Sequence, residues 1–202
     1  LVFLTQVPLL VAVRESLFMV TSAITCTGFN NANPFAWSSV TVLFLSLLML
    51  IGGSSGSTAG GIKLSRVNLG IETLGWWFNR LYTGSRVLIP FRHEGKGVRI
   101  AVAEYEVSKN MLVIMLFVLT VFAGSILLLH LDPGAGFDSG DVIFDVVSAI
   151  SNVGLSTGYV NPEMSVAGKW LFVLIMWAGR LEILPVIALA LSLSGRFSQK
   201  RG

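Results

Sequence analysis

Long apolar runs alternate along this chain with short segments rich in Gly, Ser, Thr and Asn. The longest run, Met111 to Leu129, is 19 residues without a charge. A helix needs ~20 apolar residues to cross a bilayer, so this run predicts a membrane span. A second run, Trp37 to Ile51, stops at Gly52-Gly53. A third, Trp170 to Leu193, is interrupted by Arg180, Glu182 and Pro185, and the proline predicts a kink. Residues 1–13 are also apolar and contain Pro8. The chain opens without a Met or a cleavable signal pattern, so it is expected to be part of a longer membrane protein.

Two segments match at an offset of 126 residues. Ser22-Ala23-Ile24-Thr25-Cys26-Thr27-Gly28-Phe29 pairs with Ser148-Ala149-Ile150-Ser151-Asn152-Val153-Gly154-Leu155. Asn-Pro follows both, at 33–34 and 161–162. Short amphipathic stretches precede both, Glu15–Thr21 and Asp141–Val147. The apolar runs that follow also align, Leu48–Gly53 with Leu174–Gly179. The unit predicted is a spanning helix, a short helix, a glycine-containing polar loop and a second spanning helix. Helices of about 10 residues cannot span and suit re-entrant segments. Two helix ends with glycine caps would also produce such a pattern.

Composition sets the solvent. The 202 residues are 53% hydrophobic and 12% charged, about half the charge of a soluble domain. This excludes a disordered chain, and a lone cysteine, Cys26, excludes a disulfide scaffold. The fold class predicted is all-α integral membrane, with helix–pore-helix–helix repeats and re-entrant loops.

Charge placement orients the spans. Residues 63–109 carry eight Lys or Arg, and Arg196, Lys200 and Arg201 follow the last run. Residues 131–162 carry none, but hold Asp132, Asp138, Asp141 and Asp145. Basic residues stay on the cytoplasmic side, so 63–109 and the C-terminus are expected inside and 131–162 outside. The net charge of +3 then records topology rather than nucleic-acid binding; an anionic lipid site is the other use of such a basic run. Trp76 and Trp77 suit an interfacial anchor or ordinary packing.

The repeated loops carry candidate chemistry. Non-helical backbone at membrane depth survives where protein buries it or where it lines a watery path. Thr25, Cys26, Thr27 and Gly28 form one candidate filter segment, and Ser151, Asn152, Val153 and Gly154 the other. Glycine permits angles that turn successive carbonyls toward one axis. Such carbonyls replace an ion's hydration shell. The negative end of each short helix also favours a cation there.

At these residues the chain resembles the Trk/Ktr/HKT superfamily of potassium transporters, specifically the Trk-type membrane subunit. Thr25–Phe29 looks like its third filter loop and Ser151–Leu155 like its fourth. The resemblance covers about residues 12–195. It implies potassium as substrate, held by the carbonyls of Thr25, Cys26, Asn152 and Val153, with no other cofactor. It divides the chain into a third pore repeat at 1–80, a cytoplasmic basic linker at 81–107, and a fourth repeat with a short tail at 108–202. It also implies a bacterial or archaeal plasma membrane, a homodimer of the full-length subunit, and a cytosolic nucleotide-binding regulatory partner. Gly28 and Gly154 favour potassium, since serine at such positions shifts the superfamily toward sodium.

Gly52, Gly53, Ser54, Ser55, Gly56, Ser57, Thr58, Ala59, Gly60 and Gly61 contain five glycines in ten residues. At a cost of about 1 kcal/mol per helical glycine, the segment should not remain helix. It resembles the family's intramembrane gating loop. A phosphate loop would need Gly-Lys-Ser/Thr, whereas Gly61 is followed by Ile62-Lys63-Leu64. Arg180 is assigned to the pore as a second gating element, because charges within a span usually face a cavity or a partner. Glu182 is assigned to structural pairing. His93 and His130 have no metal-ligand spacing, and no nucleophile–base set supports catalysis. Two alternatives stand beside potassium transport: a sodium-selective member of the superfamily, and a polytopic membrane enzyme or assembly factor whose glycine loops only pack.

Overall fold

The computed structural model describes residues 8–34, 37–54, 56–57, 59–83, 92–93, 96–97, 100–132, 136–181 and 192. Six helices run in chain order: α1 (Leu9–Ile24), α2 (Ser39–Leu50), α3 (Leu64–Thr83), α4 (Ile100–Leu131), α5 (Ser139–Ile150) and α6 (Val166–Leu181). Two short strands, Arg92–His93 and Lys96–Gly97, pair antiparallel between α3 and α4.

The described part of each predicted apolar run is largely helical. Trp37–Ile51 yields α2, whose start is set by Ser38, which accepts a bond from the Thr41 amide in the manner of an N-cap. Met111–Leu129 lies inside α4, which is 32 residues long and also takes in residues 100–107 of the predicted linker. Its segment Glu104–Leu131 is the one helix among the described residues that is long and apolar enough to cross a membrane. Trp170–Leu193 yields α6 as far as Leu181; Glu182 and Pro185 lie outside the described residues. The first short helix is longer than expected. Leu9 to Ile24 forms one continuous 16-residue helix, because nothing after Pro8 breaks it.

Helix α5 is the hub. It packs on α2, α4 and α6, and seven of its 12 residues are buried. Asp138 caps it, and Asp141 returns a bond to the Asp138 amide, the reciprocal box that satisfies two orphan donors. One apolar cluster joins Val146 and Ile150 of α5 to Leu128 and Phe172. A second joins Phe144 and Val147 to Met19, Leu45 and Met49. Gly124 brings α4 close to α6, since a β-carbon there would press on Ile175 and Val146. Small residues at such crossings let helix backbones approach within a membrane. Outward apolar side chains such as Leu10, Val40, Phe122 and Trp170 remain exposed.

Trp76 packs edge-on to Trp77 at 6.1 Å, and the Arg80 guanidinium lies 5.3 Å from the Trp76 ring centre. Trp76 is therefore engaged in a local cation–π contact.

Candidate functional site

The two matched loops share one pattern of backbone hydrogen bonds and positive φ angles. After α1, the Cys26 amide donates to the Ala23 carbonyl at 3.3 Å and the Thr27 amide to Ser22 at 3.1 Å. After α5, Asn152 donates to Ala149 at 3.1 Å and Val153 to Ser148 at 2.9 Å. This crossed pair is a Schellman helix end. The left-handed residue that the motif requires is not glycine in either copy. It is Cys26, with φ 53°, and Asn152, with φ 54°. The glycines come two residues later, Gly28 at φ 75° and Gly154 at φ 92°. Each loop thus holds two positive-φ residues separated by one ordinary residue. A non-glycine residue there costs about 1–2 kcal/mol, so surrounding contacts must hold the geometry.

Those contacts are specific. The Gly154 amide donates to the Ser148 hydroxyl at 3.1 Å. The Thr27 hydroxyl bonds Thr25 at 3.1 Å and reaches the Ser22 hydroxyl at 3.4 Å. Thr25 also donates to the Thr21 carbonyl at 2.6 Å. Asn152 donates through its side chain to the carbonyls of Ile150 and Met176. Ser151 is fully buried, and its hydroxyl has no partner among the described residues.

The two loops also touch. A β-carbon on Gly28 would overlap the Val153 carbonyl oxygen and meet the Gly154 backbone. Gly28 is therefore required twice, by its own angles and by its neighbour from the other repeat.

Beneath them lies the glycine-rich segment. It leaves α2 at Ile51 and returns at Ile62 through a closed neck: the Gly52 amide donates to Ile62 and the Ile62 amide to Leu50, at 2.9 and 2.8 Å. The described residues between are not helical, as the composition predicts. The Lys63 ammonium reaches back to the carbonyls of Ser57 and Ala59. Gly52 and Gly60 are held so close that a β-carbon on Gly52 would overlap the Gly60 carbonyl. A β-carbon on Gly60 would overlap the Ser151 carbonyl. The Cys26 thiol lies within hydrogen-bonding reach of the Gly60 backbone. The segment thus contacts both loops. Gly53 packs on Ser57 and Ala59, Gly61 has φ 72° against the Leu50 carbonyl, and Gly56 has φ 87° in open space. Ser54 is exposed, while Ser55 and Thr58 lie outside the described residues.

Arg180 is in the last turn of α6 and is exposed. Its neighbour Gly179 seats against the Ile150 carbonyl, where a β-carbon would overlap. This fixes α6 at the foot of the second loop.

One sequence expectation needs correction. The acidic residues of 131–147, Asp145 among them, are expected from the sequence to line an outer vestibule and concentrate cations, but Asp145 is 2% exposed. Its carboxylate accepts from the Ser156 hydroxyl at 2.7 Å and the Thr157 amide at 2.8 Å. It also accepts from the Val160 amide at 3.2 Å. Counting acidic residues in an outer segment could not separate this one. The usable signal was its place on α5 among Val142, Phe144, Val146 and Val147, all buried. Asp138 and Asp141 stand at the N-terminal end of α5, where they form its cap.

Comparison with known proteins agrees with this architecture. Residues 2–200 match a family model described as TrkH, cation transport protein. The chain is 33% identical over 179 residues to an uncharacterized cation transporter of Methanocaldococcus jannaschii, covering 89% of this chain and 36% of that protein. It is 31% identical over 159 residues to the Ktr system potassium uptake protein B of Vibrio alginolyticus, covering 76% and 30%. The crystal structure of the potassium transporter TrkH from Vibrio parahaemolyticus matches with a TM-score of 0.71 at 23% identity, over 87% of this chain and 36% of that one. The chain spans about a third of the length of the curated relatives it matches. Its helices, its paired re-entrant loops and these matches lead to one assignment: the chain belongs to the TrkH family of cation transport proteins, membrane transporters rather than enzymes.

Proposed function

We propose that this chain supplies two quarters of a fourfold potassium pathway. The observation that carries the reading is the duplicated backbone of Cys26–Gly28 and Asn152–Gly154, with the two loops in contact through Gly28 and Val153. Positive and ordinary φ values in alternation can turn successive carbonyls to one side, and carbonyls so arranged replace water around a desolvated cation. The carbonyls of Thr25, Cys26, Asn152 and Val153 are the proposed ligands. The related Ktr and Trk proteins named for potassium uptake support that ion.

The segment 52–61 is the proposed gate, supported by its contacts with Ser151 and Cys26 directly inside the loops. Arg180 adds a positive barrier on the same side, close to where Gly179 seats on Ile150. Residues 63–109 and the C-terminus face the cytoplasm, and 131–162 face outward, by the distribution of basic residues. Asp138 and Asp141 raise the local cation concentration outside. The repeats divide at 1–80 and 108–202 around the linker. The intact subunit is a homodimer working with a cytosolic nucleotide-binding partner on its basic face.

Rubidium and sodium uptake into vesicles bearing the intact transporter tests this reading. Uptake of rubidium in preference to sodium is the expected result. Equal uptake of both, or none above empty vesicles, overturns it.

A further inference from the structure

The two loops share one backbone but not one support. At the offset of 126, Asp145 of α5 corresponds to Met19 of α1. Both are buried, at 2% and 0% exposure. Met19 lies in an apolar cluster with Phe144, Val147 and Leu155. Asp145 instead accepts bonds from three residues of the strand-like segment that leaves the second loop. These are the Ser156 hydroxyl at 2.7 Å, the Thr157 amide and hydroxyl at 2.8 and 3.3 Å, and the Val160 amide at 3.2 Å. The Gly158 amide in turn donates to the Ser156 hydroxyl at 2.9 Å.

A carboxylate with four donors in a low-dielectric setting makes strong, directional contacts. Its removal leaves buried amides unpaired, which costs far more than losing an exposed bond. The segment it holds begins one residue after Leu155, which is itself buried at 2%, and two residues after Gly154. Gly154 is also tied to α5 through the Ser148 hydroxyl. The second loop is therefore fastened to the short helix at both ends of Gly154–Ser156, by Ser148 before and Asp145 after. The first loop has no carboxylate at the matching place.

We propose that Asp145 is a positioning residue for selectivity: through Ser156, Thr157 and Val160 it fixes the exit of the second filter loop, so that the carbonyls of Asn152 and Val153 keep the spacing that suits potassium. It does not act as a surface charge that gathers ions. The proposal rests on the reading that this loop lines the ion path.

The test is the rubidium-to-sodium flux ratio of the intact transporter in vesicles. It is measured for wild type, Asp145→Asn, Ser156→Ala, Thr157→Val, Glu163→Gln and Gly154→Ser. Asp145→Asn places an amide donor opposite amide donors. Its ratio is expected to fall about tenfold, as the loss of one charge-assisted bond would give, with total flux changed far less. Ser156→Ala and Thr157→Val should lower the ratio by smaller amounts. Combined with Asp145→Asn, they should add less than their separate effects, because they report one interaction. They decide the matter if Asp145→Asn does not reach the membrane. Glu163→Gln, an exposed carboxylate on the same side, should leave the ratio unchanged.

A normal ratio in Asp145→Asn, or in both donor variants where it does not express, overturns the proposal. So does an equal loss of rubidium and sodium flux that added salt abolishes, since that is the signature of a surface charge. If Gly154→Ser changes the ratio and Asp145→Asn does not, the positioning role fails and the filter reading stands. If Gly154→Ser changes nothing, both fail.

Discussion

Gly60 of the glycine-rich segment lies so close to the carbonyl of Ser151 that a β-carbon on it would overlap the oxygen. Ser151 ends α5 and opens the second loop, so the segment packs directly against the start of that loop. Gly60→Ala must therefore push the two apart. Overpacking of this kind costs about 1–3 kcal/mol. Applied to a closed state alone, it would shift an open–closed equilibrium by roughly 5- to 150-fold. Rubidium flux at equal expression should rise. A flux at or below wild type would show that the contact does not hold a gate shut.

Gly28 and Gly154 are equivalent in sequence but not in surroundings. Both have positive φ, yet only Gly28 faces a backbone oxygen, that of Val153; nothing lies within 4 Å of a β-carbon on Gly154. Gly154→Ala then carries backbone strain alone, about 1–2 kcal/mol. Gly28→Ala carries that strain and a clash. The rubidium-to-sodium flux ratio should fall in both variants and fall further in Gly28→Ala. Equal loss would mean that the two loops do not touch as described.

Cys26 occupies a left-handed position that the Schellman turn imposes. Cys26→Gly should keep or raise the thermal midpoint in detergent, since glycine adopts these angles freely. Cys26→Val should be less stable than Cys26→Gly by about 1–2 kcal/mol or more, because a β-carbon crowds the carbonyl there and branching adds to it. Equal midpoints for the two variants would contradict the backbone assignment.

Much of this was legible in the sequence, for physical reasons that differ by element. The helices α2 and α4 followed from uninterrupted apolar runs and α6 from an interrupted one, and the repeat followed from eight aligned positions at each site. The non-helical segment 52–61 followed from glycine content. The turn was less plain. Glycine marks 28 and 154, while the residues that reverse the chain lie two positions earlier: Asn152, a type that favours positive φ, and Cys26, a type that does not. The burial of Asp145 was also hidden. Charge counting placed it outside, and only the donors at 156–160, eleven or more residues away, explain its position. The contact between Gly60 and Ser151 joins segments distant in sequence and left no local pattern.

Arg180 follows Gly179, which seats on the Ile150 carbonyl. In the proposed gate, a positive charge beside this seat opposes cation passage. Arg180→Ala should raise rubidium flux several-fold in vesicles at matched expression, and Arg180→Lys should stay near wild type. Unchanged or lower flux in the alanine variant would remove Arg180 from the gate.

The central claim is that a cation binds between the two loops. Crystals of the intact transporter grown in rubidium, with anomalous diffraction recorded at the rubidium edge, test it most directly. An anomalous peak is expected among the carbonyls of Thr25, Cys26, Asn152 and Val153. Rubidium located elsewhere in the protein, with no peak at these four residues, would contradict it.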